Sequence, residues 1–129
     1  MVNPRVEAWE EKLNKILRQT DRELEKNFGS RYPIHPARPA NGTTSNPQQD
    51  GLFRIYASFT PGFGSDLGKG YALDIDIPSL EKIDPEFRQE VETFAVERIR
   101  QELEKVFPGR GMELNKDGNV WKITGDLSL

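Results

Sequence analysis

The sequence predicts an α+β protein in which two amphipathic helices alternate with two β-hairpins. Two segments carry apolar residues at helical spacing, and each follows an Asx-Pro pair and stops near a glycine. Two other segments alternate apolar and polar residues on either side of a glycine-containing turn, as hairpin strands do. Because the apolar face of a sheet must be covered, we expect two layers: a four-stranded antiparallel sheet with both helices on one face.

Size and composition limit the chain to one small acidic domain spanning residues 1–129. A chain of 129 residues can bury a single modest core. Charged residues make up 30% of it, and the net charge of -3 argues against nucleic acid as a ligand. The absence of cysteine excludes disulfides, thiolate catalysis and zinc–thiolate sites.

The hydropathy of the chain predicts a cytoplasmic protein that does not enter a membrane. Its first residues lack the apolar stretch of a signal peptide. No apolar run approaches the length that spans a bilayer. We therefore expect a protein without membrane contacts.

The first helix is predicted to begin at Pro4, with Asn3 as its N-cap, and to end at Phe28, before Gly29. Its apolar residues fall on one stripe, which we expect to face the core. The stripe comprises Val6, Trp9, Leu13, Ile16, Leu17, Thr20, Leu24 and Phe28.

The charged residues of this helix separate onto two flanks at about 100° per residue. The simplest interpretation is that both flanks are exposed and hold intrahelical ion pairs. The alternative is that the basic flank, called the basic strip below, docks an acidic partner, with Lys15 and Arg22 as contact residues. The basic strip comprises Arg5, Lys12, Lys15, Arg18, Arg22 and Lys26. The acidic flank comprises Glu7, Glu10, Asp21 and Glu25.

Residues 51–78 predict the first hairpin, with Thr60 opposite Gly70. This register makes one face of the pair wholly apolar and the other polar. A slip of one residue would break both faces at once, so the register is strongly specified. The apolar pairs are Phe59–Tyr71, Ala57–Leu73, Ile55–Ile75 and Phe53–Ile77.

The polar face of this hairpin is the candidate site for a small ligand. The register pairs Arg54 with Asp76 and Tyr56 with Asp74. If the proline-rich loop at residues 30–50 folded over this face, it would enclose these side chains in a polar pocket. The only histidine, His35, would then lie near them. A loop of this length is typically functional or disordered.

The turn of the first hairpin, residues 61–70, contains four glycines and two large apolar residues. The glycines predict a flexible turn with positive φ angles. Exposed apolar residues on such a turn are suited to anchoring a partner. We therefore expect Phe63 and Leu67 to contact a partner protein.

The second helix is predicted to follow Asp84 and Pro85 and to stop before Gly109. Its apolar residues recur every four positions, so this ridge should cross the sheet obliquely. The ridge comprises Phe87, Val91, Ala95, Ile99, Leu103 and Phe107.

The second hairpin is predicted around a type I′ turn at Asp117-Gly118. This turn places Lys116 opposite Asn119. The resulting apolar pairs are Leu114–Trp121 and Met112–Ile123.

These features favour a non-catalytic protein-interaction module, comparable to a small acidic adaptor, chaperone or inhibitor. Its partner would be another protein or a second copy in a homodimer, and we expect no nucleic acid, metal or cofactor. The sequence contains no recognisable catalytic motif, which favours binding over catalysis. Two alternatives stay open. One is a ligand-binding or metal-assisted hydrolytic pocket beneath the loop, and the other is a structural subunit of a homo-oligomer.

Overall fold

Two helices lie on one face of a four-stranded antiparallel sheet, and the α+β class is confirmed. A computed structural model describes residues 4–62 and 67–127. The strand order is β1-β2-β4-β3, so β1 and β3 are the edge strands. The elements are α1 (Pro4–Phe28), β1 (Arg54–Thr60), β2 (Gly70–Asp76), α2 (Pro85–Val106), β3 (Glu113–Asp117) and β4 (Val120–Thr124), with a short 3-10 helix at Pro47–Gln49.

The helix α1 buries the predicted apolar stripe against the sheet and α2, except for Val6, which is half-buried. It ends at Phe28, before Gly29, as predicted. The predicted N-cap, Asn3, lies outside the described residues. The most deeply buried apolar residues of the stripe, each at most 2% exposed, are Leu13, Ile16, Leu17 and Leu24.

The first hairpin has the predicted register. Thr60 lies opposite Gly70, and Ile55 lies opposite Ile75. Both isoleucines are buried on the face that the helices cover. The prediction succeeds because the side-chain period of a strand is two, so only this register keeps the apolar residues out of water.

The second hairpin has a different register from the predicted one. Leu114 pairs with Ile123, so the predicted pairing with Trp121 is wrong. The turn residues are Gly118 and Asn119, and of these two only Gly118 has a positive φ, at 66°. A type II′ turn needs glycine at its first position alone, which Gly118 supplies. Because the shift is two residues, Leu114 and Ile123 keep their core-facing positions.

The helix α2 buries the whole predicted ridge, whose members are all at most 5% exposed. Asp84 is its N-cap and accepts a hydrogen bond from the Glu86 amide at 2.9 Å, with Pro85 in the first turn. The two helices are joined at the surface by Arg98, which donates to Glu23 at 2.8 Å. In the part of the chain that is described, no helix combines the length and apolar character needed to cross a membrane.

The loop at residues 30–50 lies beside α1 and along the outer edge of β1. The Gln48 side chain donates to the Ile55 carbonyl at 3.1 Å, and Asp50 is fully buried. At its start, the Tyr32 hydroxyl accepts from the Asp84 amide at 3.0 Å. The loop therefore connects the helices to the sheet instead of extending into solvent.

Candidate functional site

An apolar concavity lies where α1 begins and the first hairpin ends. Its volume is about 350 Å³. We call it the aromatic cleft, because three of its residues are aromatic. It is lined by Val6, Trp9, Phe59, Tyr71 and Leu127, with Glu10 and Lys69 as its charged members.

Ring stacking makes the wall of the aromatic cleft rigid. Trp9 stacks on Tyr71 with ring centroids 5.0 Å apart, and on Phe107 with centroids 4.6 Å apart. Phe59 meets Tyr71 edge-on at 5.7 Å. Such pairs contribute about 0.5–1.5 kcal/mol each beyond their buried area. The cleft is therefore formed before any ligand arrives, which lowers the entropic cost of binding.

The hydroxyl group of Tyr71 has a hydrogen-bond partner inside the cleft. It donates to Glu10 Oε2 at 3.0 Å. Burial and this hydrogen bond to Glu10 raise the pKa of Tyr71 to about 12. The phenol therefore stays neutral at neutral pH, and its hydroxyl group positions the Glu10 carboxylate through this hydrogen bond.

Phe59 is 56% exposed, although it lies on the apolar face of β1 opposite Tyr71. The described part of α1 begins at Pro4, and Val6 is the first residue of its apolar stripe. The apolar face of the hairpin is therefore not fully covered at Phe59. A large apolar side chain exposed beside a concave aromatic wall is a typical protein-contact feature.

The predicted partner anchors lie on the turn that follows β1. Leu67 is 38% exposed, at the same end of the molecule as Phe59. Phe63 lies outside the described residues. Leu67 and Phe59 are thus both exposed at this end of the molecule, and the exposure of Phe59 was not predicted from the sequence.

The polar face of the first hairpin brings together four of the predicted ligand-binding residues. The Arg54 guanidinium donates to Asp76 Oδ2 at 2.7 Å, and the Tyr56 hydroxyl donates to Asp74 Oδ2 at 2.6 Å. Arg54 also lies over the Tyr56 ring at 5.2 Å. This cluster is wet, so its ion pair is worth roughly 0–1 kcal/mol.

The two carboxyls of this face have pKa values that move in opposite directions. Burial and the neighbouring Asp76 raise the pKa of Asp74. Burial also disfavours the charge on Asp76, but hydrogen bonds from Asp74 and Arg54 outweigh it and lower the pKa of Asp76. The pKa values of two neighbouring carboxyls move apart in this way because the negative charge on one disfavours the ionisation of the other.

The structure does not place His35 with this cluster. Its Nδ1 accepts a hydrogen bond from the Ala37 amide at 3.0 Å, within the loop. A groove of about 490 Å³ runs beside Tyr56, Asp74 and Asp76. Its described lining comes from the sheet, α2 and the second hairpin, and includes no residue of the loop at 30–50. The loop therefore does not enclose the polar face. Among the described residues, no group of three or more His, Asp or Glu is arranged to hold a metal ion.

A second polar cluster, not identified from the sequence, lies between α1 and the loop. We call it the buried cluster; it comprises Asp21, Glu25, Arg38 and Asp50. Glu25 Oε1 accepts hydrogen bonds from the backbone amides of Leu52 and Phe53. Glu25 therefore attaches the chain just before β1 to the middle of α1.

Arg38 holds the end of the loop and the start of β1 together through hydrogen bonds to the backbone. Its guanidinium donates to four backbone carbonyls, at 2.6–3.0 Å. These belong to Gln48, Asp50, Gly51 and Phe53. A planar guanidinium with five donors is the side chain best suited to hold a turn by its carbonyls.

Asp21 is the least satisfied member of the buried cluster. It is 1% exposed, and neither carboxyl oxygen has a hydrogen-bond partner among the described residues. Burial, reinforced by the neighbouring Glu25 carboxylate, raises its pKa from 3.8 to about 8. Asp21 is therefore mainly protonated at neutral pH, because a second negative charge here would be uncompensated.

Asp50 behaves in the opposite way within the same cluster. Burial disfavours its charge, but the Thr44 amide and hydroxyl donate to Oδ2 at 3.0 and 2.8 Å and lower its pKa. Proximity to Arg22 acts in the same direction. The cluster thus holds a charged Asp50 and a neutral Asp21 beside Arg38.

The sequence contained a weak signal for this cluster. Asp21 and Glu25 were assigned to the exposed acidic flank of α1, and that assignment is wrong for both, since they are buried. They lie at the border of the apolar stripe and four residues apart, so both face the same neighbour. The sequence did not show that the neighbour would be the loop.

The basic strip is exposed where the sequence predicted contact residues. Lys15 and Arg22 are both exposed on α1. One member of the strip, Arg18, forms an ion pair with Glu11 at 2.9 Å. The strip runs along the side of α1 that faces solvent.

Sequence comparisons relate this chain to other proteins over almost its entire length. A family model described as "Uncharacterised protein" matches residues 4–125. A protein of Borreliella burgdorferi, described as "Uncharacterized protein", is 39% identical over 117 residues, which cover 91% of each chain. No solved structure matches the chain significantly. Because the family model covers more than half of the chain, including both helices and all four described strands, the chain belongs to this family.

Proposed function

We propose that this protein is a non-catalytic protein-interaction module that uses the aromatic cleft as its contact surface. The partner inserts a bulky apolar side chain into the cleft, beside Phe59. Leu67, on the adjoining turn, and Phe63, as predicted from the sequence, extend the apolar contact. The observation that carries the proposal is the 56% exposure of Phe59 next to a preformed aromatic wall.

The chemistry of the cleft supports packing over catalysis. Tyr71 and Glu10 satisfy each other through one hydrogen bond, and Lys69 is the third ionisable side chain of the described lining. Stacked rings and aliphatic residues make up the rest of the wall. Aromatic residues that are rigid before binding are the side chains that most often dominate the energy of protein–protein contacts.

The basic strip indicates the charge of the partner. We propose that the partner carries acidic residues, which Lys15 and Arg22 attract as the two proteins approach. The whole chain has a net charge of -3, so a local positive surface on α1 is an exception to its overall charge. Such a surface raises the association rate more than the final affinity, and its effect decreases with salt.

The test compares two exposed apolar residues. Phe59→Ser removes the side chain at the cleft, whereas Leu80→Ser removes one that is 74% exposed outside the lining of the cleft. Each purified variant is used to capture proteins from the native host, and every captured protein is then purified and titrated directly. We expect one protein that binds the wild type and Leu80→Ser alike, and binds Phe59→Ser at least tenfold more weakly.

Two results would contradict the proposal. In the first, no purified protein discriminates Phe59→Ser from Leu80→Ser. In the second, the cleft is covered by another copy of this chain, which light scattering would detect as a dimer that Phe59→Ser dissociates. That result would support the homo-oligomer alternative instead.

A further inference from the structure

The outer edge of β1 carries backbone groups that alternate in direction. The Phe53 amide donates to Glu25, and the Phe53 carbonyl accepts from Arg38, so both groups point away from β2. The Ile55 carbonyl accepts from Gln48 in the same outward direction. In an antiparallel strand, outward-pointing residues recur every second position. The continuous register of β1 with β2 keeps this alternation through Thr60.

The loop covers only the first part of this edge. Arg38, Glu25 and Gln48 occupy the outward groups of Phe53 and Ile55. Unpaired strand edges are prone to pair with other chains, and covering them with a loop is a common protection. The loop at 30–50 therefore acts as an edge cover that ends at Ile55.

The next two residues whose backbone amide and carbonyl groups point away from β2 are Ala57 and Phe59. Because β1 is an edge strand, no other strand pairs with its outer side, and among the described residues no loop or side-chain group donates to or accepts from the backbone of these two residues there. The Phe59 side chain lines the aromatic cleft, so the free edge and the cleft adjoin. Among the described residues, the outer backbone donor and acceptor of each residue thus lack a partner, beside an apolar concavity.

We propose that the partner binds as an extended segment that adds a strand to β1 at Ala57–Phe59 and places an apolar side chain in the aromatic cleft. This inference rests on the proposed function and specifies the conformation of the partner. The outer backbone groups of Ala57 and Phe59 can pair with a strand of about four residues. The loop already occupies the edge at Ile55 and blocks extension of that strand in this direction. The charged residues of the cleft are one Glu10 and one Lys69, so the inserted side chain is uncharged.

A peptide selection tests this geometry without a known partner. A phage-displayed library of random 12-residue peptides is selected on the full chain, and peptides whose binding is lost in Phe59→Ser are synthesised. We expect such a peptide to slow amide hydrogen exchange at Ala57 and Phe59. We also expect Ala57→Pro to weaken its binding about tenfold or more, since proline removes one outward donor and its ring occupies the edge.

Ser58→Pro is the matched control for the direction of the backbone groups. Ser58 lies opposite Ala72, and its amide points toward β2. Proline there breaks the ladder and should lower the melting temperature strongly, whereas Ala57→Pro should lower it little. Equal melting temperatures of the two variants would overturn the assigned direction of the edge.

The outcomes separate this inference from the proposed function. A cleft-dependent peptide that leaves the amide exchange of Ala57 and Phe59 unchanged, and binds Ala57→Pro normally, overturns the added strand but keeps the cleft as a contact site. A selection that produces no peptide dependent on Phe59 overturns both. The exchange measurement uses the wild-type protein, so it decides the question even if Ala57→Pro does not fold.

Discussion

The two polar clusters of this protein contain the same kinds of side chain in opposite environments. On the outer face of the sheet, Arg54 and Asp76 form an exposed pair. Between α1 and the loop, Arg38 lies beside the buried carboxyls of Asp21 and Asp50. An exposed pair exchanges its partners with water at little cost, whereas a buried charge needs every hydrogen bond it can make.

This difference shows that burial, more than composition, decides what a charged cluster does. The exposed cluster adds polarity to a sheet face and little stability. The buried cluster holds the loop on α1 through Glu25 and Arg38, and so keeps the start of the β1 edge covered. The predictions below therefore compare matched changes in the two environments.

The largest expected effect is that of Arg38→Ala. This change leaves four backbone carbonyls without their donor and removes the positive charge beside Asp21 and Asp50. We expect the free energy of unfolding to fall by roughly 3 kcal/mol or more. Arg54→Ala is the control and should cost about 0–1 kcal/mol. Urea unfolding of both variants measures the difference, and equal losses would show that the buried cluster does not hold the loop.

Gly51→Ala should have the next largest effect, through the fit of the loop on α1. Gly51 has φ of 74°, and a Cβ there would lie 2.1 Å from Glu25 Oε1. We expect a loss of about 2 kcal/mol from backbone strain and displacement of Glu25. Gly42→Ala is the control, because its φ is 84° but no atom lies within 4 Å of the added Cβ. A thermal melt in which Gly42→Ala is as unstable as Gly51→Ala would refute the close contact with Glu25.

Asp21 should make stability depend on pH in a direction unusual for a carboxyl. Its pKa is about 8 in the folded state against an ordinary 3.8, so between these values the folded state binds more protons than the unfolded state. Stability should therefore fall as pH rises from about 4 to 8, by at most about 1.4 kcal/mol per pH unit. Glu25 shifts in the same direction and Asp50 in the opposite one.

Asp21→Asn isolates this contribution, because the amide is neutral at every pH. We expect the variant to be more stable than the wild type at pH 7 and less dependent on pH between 5 and 8. Urea unfolding at four pH values in that range provides the measurement. A variant whose stability falls with pH as steeply as that of the wild type would assign the effect to another group.

The smallest effect on stability is expected for the basic strip. Arg22 is left unchanged here, because its charge helps to lower the pKa of Asp50. Lys12→Glu combined with Lys15→Glu changes two exposed residues of the basic strip, so the melting temperature should hardly move. The association rate with the partner should decrease at low salt and approach the wild-type rate at high salt. A loss of binding that is independent of salt would mean that these residues make direct contacts.

The sequence predicted those parts of the fold that depend on local periodicity. The first hairpin register follows from alternation on both strands, with Ile55 opposite Ile75 as the central apolar pair. The boundaries of α2 follow from the N-cap Asp84 and the ridge that begins at Phe87. The second hairpin register did not follow, because Asp117-Gly118 and Gly118-Asn119 are both acceptable turns and differ by two residues, which leaves the same faces buried.

The candidate sites were predicted only in part for a related reason. Cross-strand pairing placed Arg54 beside Asp76, since opposite residues of a known register must be neighbours. The position of the loop had no such rule, so the sequence left open whether His35 lies near the polar face, and the structure places its hydrogen bond within the loop. The exposure of Phe59 depended on tertiary packing at the end of the first hairpin, which strand alternation does not predict.

Sequence alone thus determined the elements, the faces they bury and the register of the first hairpin, because helix and strand periods are local properties of the chain. Tertiary structure decided the burial of Asp21 and Glu25, the cover over the first part of the β1 edge and the exposure of Phe59 beside the aromatic cleft. Each of these depends on contacts between residues far apart in the sequence, such as the 27 positions between Glu25 and Leu52. The energies of such contacts appear only when packing brings the partners together and removes water from both.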